Sequence, residues 1–190
     1  QKENIEASED ALHLIARKAD GGLRDALSMF DQLVSFGGGK ITYESAVDIL
    51  SVLDLDTFFD VANLLSSSNI GDALLIYDGI IKKGFDGSTF LGGLASHFRN
   101  LAVSKETKTQ TLLDVSESFK SKYLEQSSAL SFAFILNGLN MVSEAEEKYK
   151  QSRNPRLLVE LMLMKLGHLN AFIQSIPSLE EVKKKSRTTA

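Results

Sequence analysis

The sequence contains no cysteine, which excludes disulfides, a cysteine-based zinc site and thiol catalysis from these residues. It also has no tryptophan, only two prolines and only three histidines in 190 residues. His13, His97 and His168 stand far apart with no metal-type spacing, and each reads as a surface or helix-packing residue. No apolar run approaches the roughly 18 residues needed to span a bilayer, and no signal peptide opens the chain. The expectation is a cytoplasmic protein that makes no use of a membrane. A surplus of positive charge is missing too: 21 Lys and Arg stand against 25 Asp and Glu, a net charge of −4. That balance argues against nonspecific nucleic-acid binding by the chain as a whole. Because it opens on Gln1 rather than Met, it is expected to be a piece of a longer protein.

What is present is an ordinary globular composition, 43% hydrophobic and 24% charged, with material for one or two domains. Apolar residues recur at helical spacing almost throughout and strand signals are nearly absent, so the fold class is all-α. Ser8 before Glu9-Asp10 reads as an N-cap. Ala11, Leu12, Ile15, Ala16 and Ala19 form the apolar stripe of a first helix that Gly21-Gly22 end. A second helix stops near Phe36, packing through Ala26, Leu27, Phe30, Leu33 and Val34. Thr42 caps a third, with Glu44 in its first turn and Ala46, Val47, Ile49 and Leu50 toward its buried side. Leu53-Asp54-Leu55 reads as a linker.

Further helices follow. One starts at Asp56 or Thr57; one is capped by Ser68 or Asn69 and ends at Gly84; one opens at Gly87-Ser88. Residues 104–111, rich in Ser, Thr and Lys, read as a loop. Helices are then expected over roughly 113–125, 128–151 and 154–169, with Pro155 in a first turn, where proline is accommodated. His97, Arg99 and Asn100 read as the exposed side of their helix. Glu144, Glu146, Glu147, Lys148 and Lys150 read as a solvated face with i, i+4 pairs. The last helix is apolar almost all round, leaving a polar strip at Glu160, Lys165 and His168. Such a helix is either central in its bundle or half-buried against another protein.

Gly37-Gly38-Gly39-Lys40-Ile41-Thr42 is not a phosphate loop. Val34 stands where the first glycine of that motif belongs, and Ile41 stands where the magnesium-binding hydroxyl belongs. The glycines read as a helix stop and a flexible turn. With no acidic pair after an apolar strand and no identifiable arginine finger, these 190 residues lack the parts that phosphoryl transfer requires. The tail from Ala171, with Lys183-Lys184-Lys185 and Arg187, reads as a solvated linker rather than a DNA contact.

One stretch breaks a local rule. Gly21-Gly22-Leu23-Arg24-Asp25-Ala26 ends one helix and starts the next, placing Arg24 in a first turn. A cation there opposes the helix dipole by roughly 0.3–1 kcal/mol, an offence partly offset by Asp25. An arginine beside free helix N–H groups suits a phosphate or other anion. From spacing alone, the competing assignment is a surface ion pair with Asp20 or Asp31.

Ala19-Asp20-Gly21-Gly22-Leu23-Arg24-Asp25-Ala26-Leu27-Ser28, then Phe30-Asp31-Gln32 and the Gly-Lys-Ile-Thr turn, resembles the gamma/tau subunit family of bacterial DNA polymerase III, the AAA+ ATPase of the sliding-clamp loader. The motif is specific over about twelve positions; the family usually has serine where Gly22 stands. The resemblance implies a small three-helix AAA+ lid at 1–52, a helical-bundle collar for oligomerisation at 53–170, and a flexible tail or linker at 171–190. It implies that Arg24 is the sensor 2 arginine reaching the phosphates of ATP, with Leu23 near the base or sugar. The ATP, with its Mg, would be held by a P-loop domain outside this sequence, where the family also carries its four-cysteine zinc module. The implied partners are other clamp-loader subunits (gamma/tau, delta and delta-prime) through the collar. The sliding clamp and primer–template DNA are partners of the whole assembly. The chain alone is expected to be inactive, the nucleotidyltransferase and clamp-loading ATPase belonging to the parent assembly. Two rivals are a helical interaction scaffold with no nucleotide role and the lid of another AAA+ protein.

Overall fold

The computed structural model describes residues 5–37 and 39–175, with side chains described as far as Leu169. The fold is all-α, as expected. Its helices are α1 (Glu9–Lys18), α2 (Leu23–Gly37), α3 (Tyr43–Leu50), α4 (Leu55–Ser66), α5 (Ile70–Lys82), α6 (Gly87–Ser104), α7 (Glu117–Ala129), α8 (Phe132–Tyr149) and α9 (Pro155–Ser175). A 3-10 turn spans Thr107–Leu112, and two short strands, β1 (Glu6–Ala7) and β2 (Lys40–Ile41), pair in parallel with Glu6 opposite Lys40 and Ala7 opposite Ile41. The chain divides into two compact units. One runs to Asp54 and also takes in Val103–Ala129; the other holds Leu55–Ala102 and the chain from Leu130 onward.

In the first unit, Ser8 caps α1 by accepting from the Ala11 amide at 3.2 Å. The buried face of α1 is Ala11, Leu14 and Ile15, while Leu12 and Ala16, expected in the stripe, are exposed. Both sets have helical spacing, and the positions of α2 and α3 decide between them. Asp20 and Gly21 turn the chain with positive φ, 46° and 80°, and α2 then buries Leu33. Leu27, also expected to pack, is exposed, and Met29 packs against the core of Leu14, Ile15, Leu33, Ile41 and Leu50 instead. Thr42 and Ser45 cap α3 reciprocally, and the Lys18 ammonium donates to the Leu50 carbonyl at the far end. Gly37 ends α2, and Gly39 at φ 95° leads into β2. Gly37 is therefore a helix stop ahead of the strand pair.

The stretch 103–129, expected with the second domain, packs in this first unit. Both the Ser116 and Ser118 hydroxyls donate to Asp10 Oδ1, Ser118 at 2.6 Å, and the Phe119 ring lies 5.2 Å from that of Tyr43. Nothing periodic in the sequence marks a bond between residues 106 positions apart. The expected loop at 104–111 is largely the 3-10 turn, held where Thr109 Oγ1 donates to the Val103 and Glu106 carbonyls. Consequently α7 begins at Glu117, four residues after its expected start.

The second unit packs α4, α5, α6, α8 and α9 around Phe58, Phe90, Leu94, Phe98, Phe134 and Leu163. Asn69 caps α5, and Asn154 caps α9 by accepting from the Leu157 amide at 3.1 Å, with Pro155 first in the helix. His97 is buried, not on the exposed side of α6: the Phe59 ring meets it nearly perpendicular at 4.6 Å, with Phe58 and Phe98 beside it. Its imidazole fills a core position as an aromatic ring would. Arg99 is exposed as expected and Asn100 half-buried. Helix α9 continues through residues 171–175, into the expected tail, because neither glycine nor proline interrupts it before Pro177. The basic residues Lys183, Lys184, Lys185 and Arg187 lie outside the described residues.

Candidate functional site

Helix α2 begins where Gly22 donates its N–H to the Ala19 carbonyl and accepts from the Ala26 amide with its own carbonyl. This places Leu23, Arg24 and Asp25 in the first turn, whose amides have no intrahelical acceptor. Asp25 folds back over the helix start: its Oδ2 would stand 2.9 Å from a Cβ on Gly22. The carboxylate thus meets the positive end of the helix dipole.

Arg24 is exposed, and among the described residues its guanidinium has no ion pair or hydrogen bond. Neither Asp20 nor Asp31 engages it. Its carbonyl accepts from Ser28 Oγ at 3.0 Å inside the helix. Leu23, beside it, is 73% exposed, and Leu27 one turn on is exposed as well. The structure therefore brings the two sequence-expected residues together as a free cation flanked by uncovered apolar side chains. Such a group can bind an anion electrostatically; it contains no general base and no nucleophile. Among the described residues no group of three or more His, Cys, Asp or Glu is placed to hold a metal. His13 lies 3.9 Å from Glu9, and His168 is exposed.

Helix α9 forms a second surface. Val159, Met162, Leu163 and Leu166 are buried against α4, α5 and α8, whereas Leu157, Leu161 and Met164 remain exposed at i, i+4, i+7 spacing. Between α8 and α9 runs an open groove lined by the apolar Met141, Ala145, Leu158, Leu161 and Met162 and by Glu144, Lys148 and Lys165. Lys148 sits 2.5 Å from Glu144 and holds that carboxyl below its ordinary range. At the start of α9, Arg156 bridges Asp78 and Glu160, both at 2.8 Å. Sequence periodicity marked α9 as apolar on nearly every side; only the packing shows which side is left open. Leu75 on α5, 68% exposed, had no signal of its own.

Residues 1–39 match the family described as the ATPase lid domain of the DNA polymerase III clamp loader subunit, and residues 41–182 match domain III of the DNA polymerase III subunits gamma and tau. The two matches meet at β2. The tau subunit of DNA polymerase III from Bacillus subtilis is 27% identical over 184 residues, 95% of this chain and 32% of that protein. Protein STICHEL-like 2 of Arabidopsis thaliana is 26% identical over 90% of this chain and 19% of its own length. The chain thus spans about a third or less of the curated relatives it matches. Among solved structures, the Bacillus subtilis DNA clamp loader delta protein is similar in fold, with a TM-score of 0.55 at 18% identity over 88% of this chain and 52% of that one.

Proposed function

We propose, for a chain that belongs to the DNA polymerase III gamma and tau subunit family, that it supplies the lid and the collar of an ATP-driven sliding-clamp loader. The observation that carries this reading is the succession of the two family matches, lid then domain III, along almost the whole chain. Residues 1–52, with 103–129 packed in the same unit, act as the lid; the rest of 53–170 acts as the collar, and the remainder as a linker.

Arg24 is the group that senses nucleotide. An arginine with no internal partner keeps its charge available, and a phosphate beside the helix start gains from the guanidinium and from the free amides together. Leu23, uncovered next to it, lines the base or sugar. ATP with its Mg is held by a P-loop domain elsewhere in the protein and supplies the phosphate charge to which Arg24 responds. The lid is drawn inward as Arg24 engages, and the collar keeps the subunits together meanwhile. The assembly, with gamma/tau, delta and delta-prime subunits, opens the clamp and grips primer–template DNA. A cytoplasmic location goes with that role; among the described residues no helix is long and apolar enough to cross a membrane.

The test is Arg24→Ala in the full-length protein, assembled with its partner subunits. A charge-assisted hydrogen bond of about 2–3 kcal/mol corresponds to a loss of roughly 30- to 150-fold in ATP-dependent clamp loading. The native mass of the nucleotide-free assembly stays that of the wild type. Wild-type loading rates overturn the sensor assignment.

A further inference from the structure

The unit that contains the Arg24 helix does not end with the first fifty-odd residues. Val103–Ala129 pack in it, so the chain passes between the two units three times, at 54–55, 102–103 and 129–130. The bond that fixes this return is specific. Asp10, in the first turn of α1, accepts from both Ser116 and Ser118 at the start of α7. Ser116 is buried and also accepts the Lys120 amide with its carbonyl as α7 begins. One carboxylate therefore serves the amino-terminal ends of two helices, each of which favours negative charge there. Glu44, in the first turn of α3, is held below its ordinary range by a backbone hydrogen bond at the helix start and by Thr42, with Asp10 opposing more weakly. The apolar contact of Phe119 with Tyr43 continues the same junction onto α3.

We infer that Asp10 is a positioning residue which makes α7 part of the nucleotide-responsive lid, so that a movement triggered at Arg24 is carried by α7 to both of its chain connections. This rests on the lid reading above and goes beyond it. A lid joined by one linker at 54–55 can swivel without moving anything else. A lid that holds α7 must displace the end of α6 and the start of α8 as it moves, because 102–103 and 129–130 are covalent. Asp10 touches no nucleotide in this arrangement; its effect is delivered through the two serines.

The experiment is amide hydrogen exchange on the full-length protein assembled with its partner subunits, with and without a nonhydrolysable ATP analogue. In the wild type, amides of 117–129 change protection together with those of α1 and α2. In Asp10→Ala, α1 and α2 keep their response while protection in α7 falls about a hundredfold or more and no longer follows nucleotide, as expected for the loss of two hydrogen bonds to a carboxylate. Asp10→Asn retains an acceptor oxygen for the serines and restores the response. Should Asp10→Ala not fold, Ser116→Ala combined with Ser118→Ala removes the same bonds while leaving the first turn of α1 intact. A wild-type α7 that ignores nucleotide while α1 and α2 respond overturns the inference, as does a variant whose α7 still follows. If α1 and α2 themselves do not respond, the lid reading fails and this inference with it.

Discussion

The ring of Phe58 stands 2.2 Å from the place a Cβ on Gly93 would occupy. Phe58 is buried and flanked by Phe90 and His97, with ring centroids at 6.1 and 6.4 Å, so it has nowhere to retreat. Gly93→Ala is expected to cost about 1–3 kcal/mol through overpacking. Gly79 offers the opposite case: it lies inside α5 with no atom within 4 Å of its would-be Cβ. Gly79→Ala is expected to stabilise by about 0.5–1 kcal/mol, since glycine in a helix interior is entropically unfavourable. Thermal denaturation of the two variants should move in opposite directions.

Tyr77 carries a second prediction. Its hydroxyl is buried and, among the described residues, has no hydrogen-bond partner; burial, with nearby Tyr149 and Glu160, pushes its pKa up to about 12. A folded-state value above the ordinary 10.0 means that the unfolded chain loses this proton first as pH rises. Stability is therefore intact below pH 10 and declines as pH climbs toward 12. Tyr77→Phe removes both the orphaned hydroxyl and the titration. We expect it to gain on the order of 1 kcal/mol at neutral pH and to flatten the alkaline arm of the unfolding curve.

At the acid end the group to watch is Asp78. Hydrogen bonds from Lys82 and Arg156 hold its carboxyl below the usual range. A lowered folded-state pKa contributes stability above the ordinary carboxylate value, and that contribution is lost as pH falls through the folded one. Asp78→Asn is expected to be slightly less stable than wild type at pH 7 and to lose less on acidification below about pH 4. Urea unfolding across that window reads the difference.

The contrast between local and remote signals explains what the sequence disclosed. Caps at Ser8 and Thr42, a cap at 68 or 69, the proline at 155 and the glycine stop at 37 act within four residues and were legible. The face that α1 buries was not: Leu12 and Leu14 both fit helical spacing, and only α2 and α3 choose between them. His97 was misplaced for the same reason, since its ring is buried by Phe58 and Phe59 on another helix. The return of 103–129 hangs on Asp10 meeting Ser116 and Ser118, a long-range bond without periodicity. The placement of Arg24 in a first turn was readable because it depends on one turn of one helix. That placement breaks a dipole rule visible in the sequence, and the absence of an ion pair to Asp20 or Asp31 needed the fold.

The open side of α9 yields the last prediction. Leu157, Leu161 and Met164 are spaced to form one ridge, and Leu161 also lines the groove against α8. Apolar side chains at this spacing, bordered by Glu144, Lys148 and Lys165, suit the packing of another helix. If this ridge is the collar contact, Leu161→Asp places an unpaired charge in that interface. The substitution largely spares the chain itself, because Leu161 is substantially exposed; its own stability should fall by about 1 kcal/mol, from helix propensity and lost groove contact. Association of the full-length protein with its partner subunits should weaken at least tenfold, about 1.4 kcal/mol. Leu12→Asp, an equally exposed apolar position on α1, serves as the control and should leave the native mass of the assembly unchanged. Sedimentation of the two variants separates the cases: loss of the complex for Leu161→Asp alone assigns the collar contact to α9, whereas an intact complex moves it to another face of the bundle.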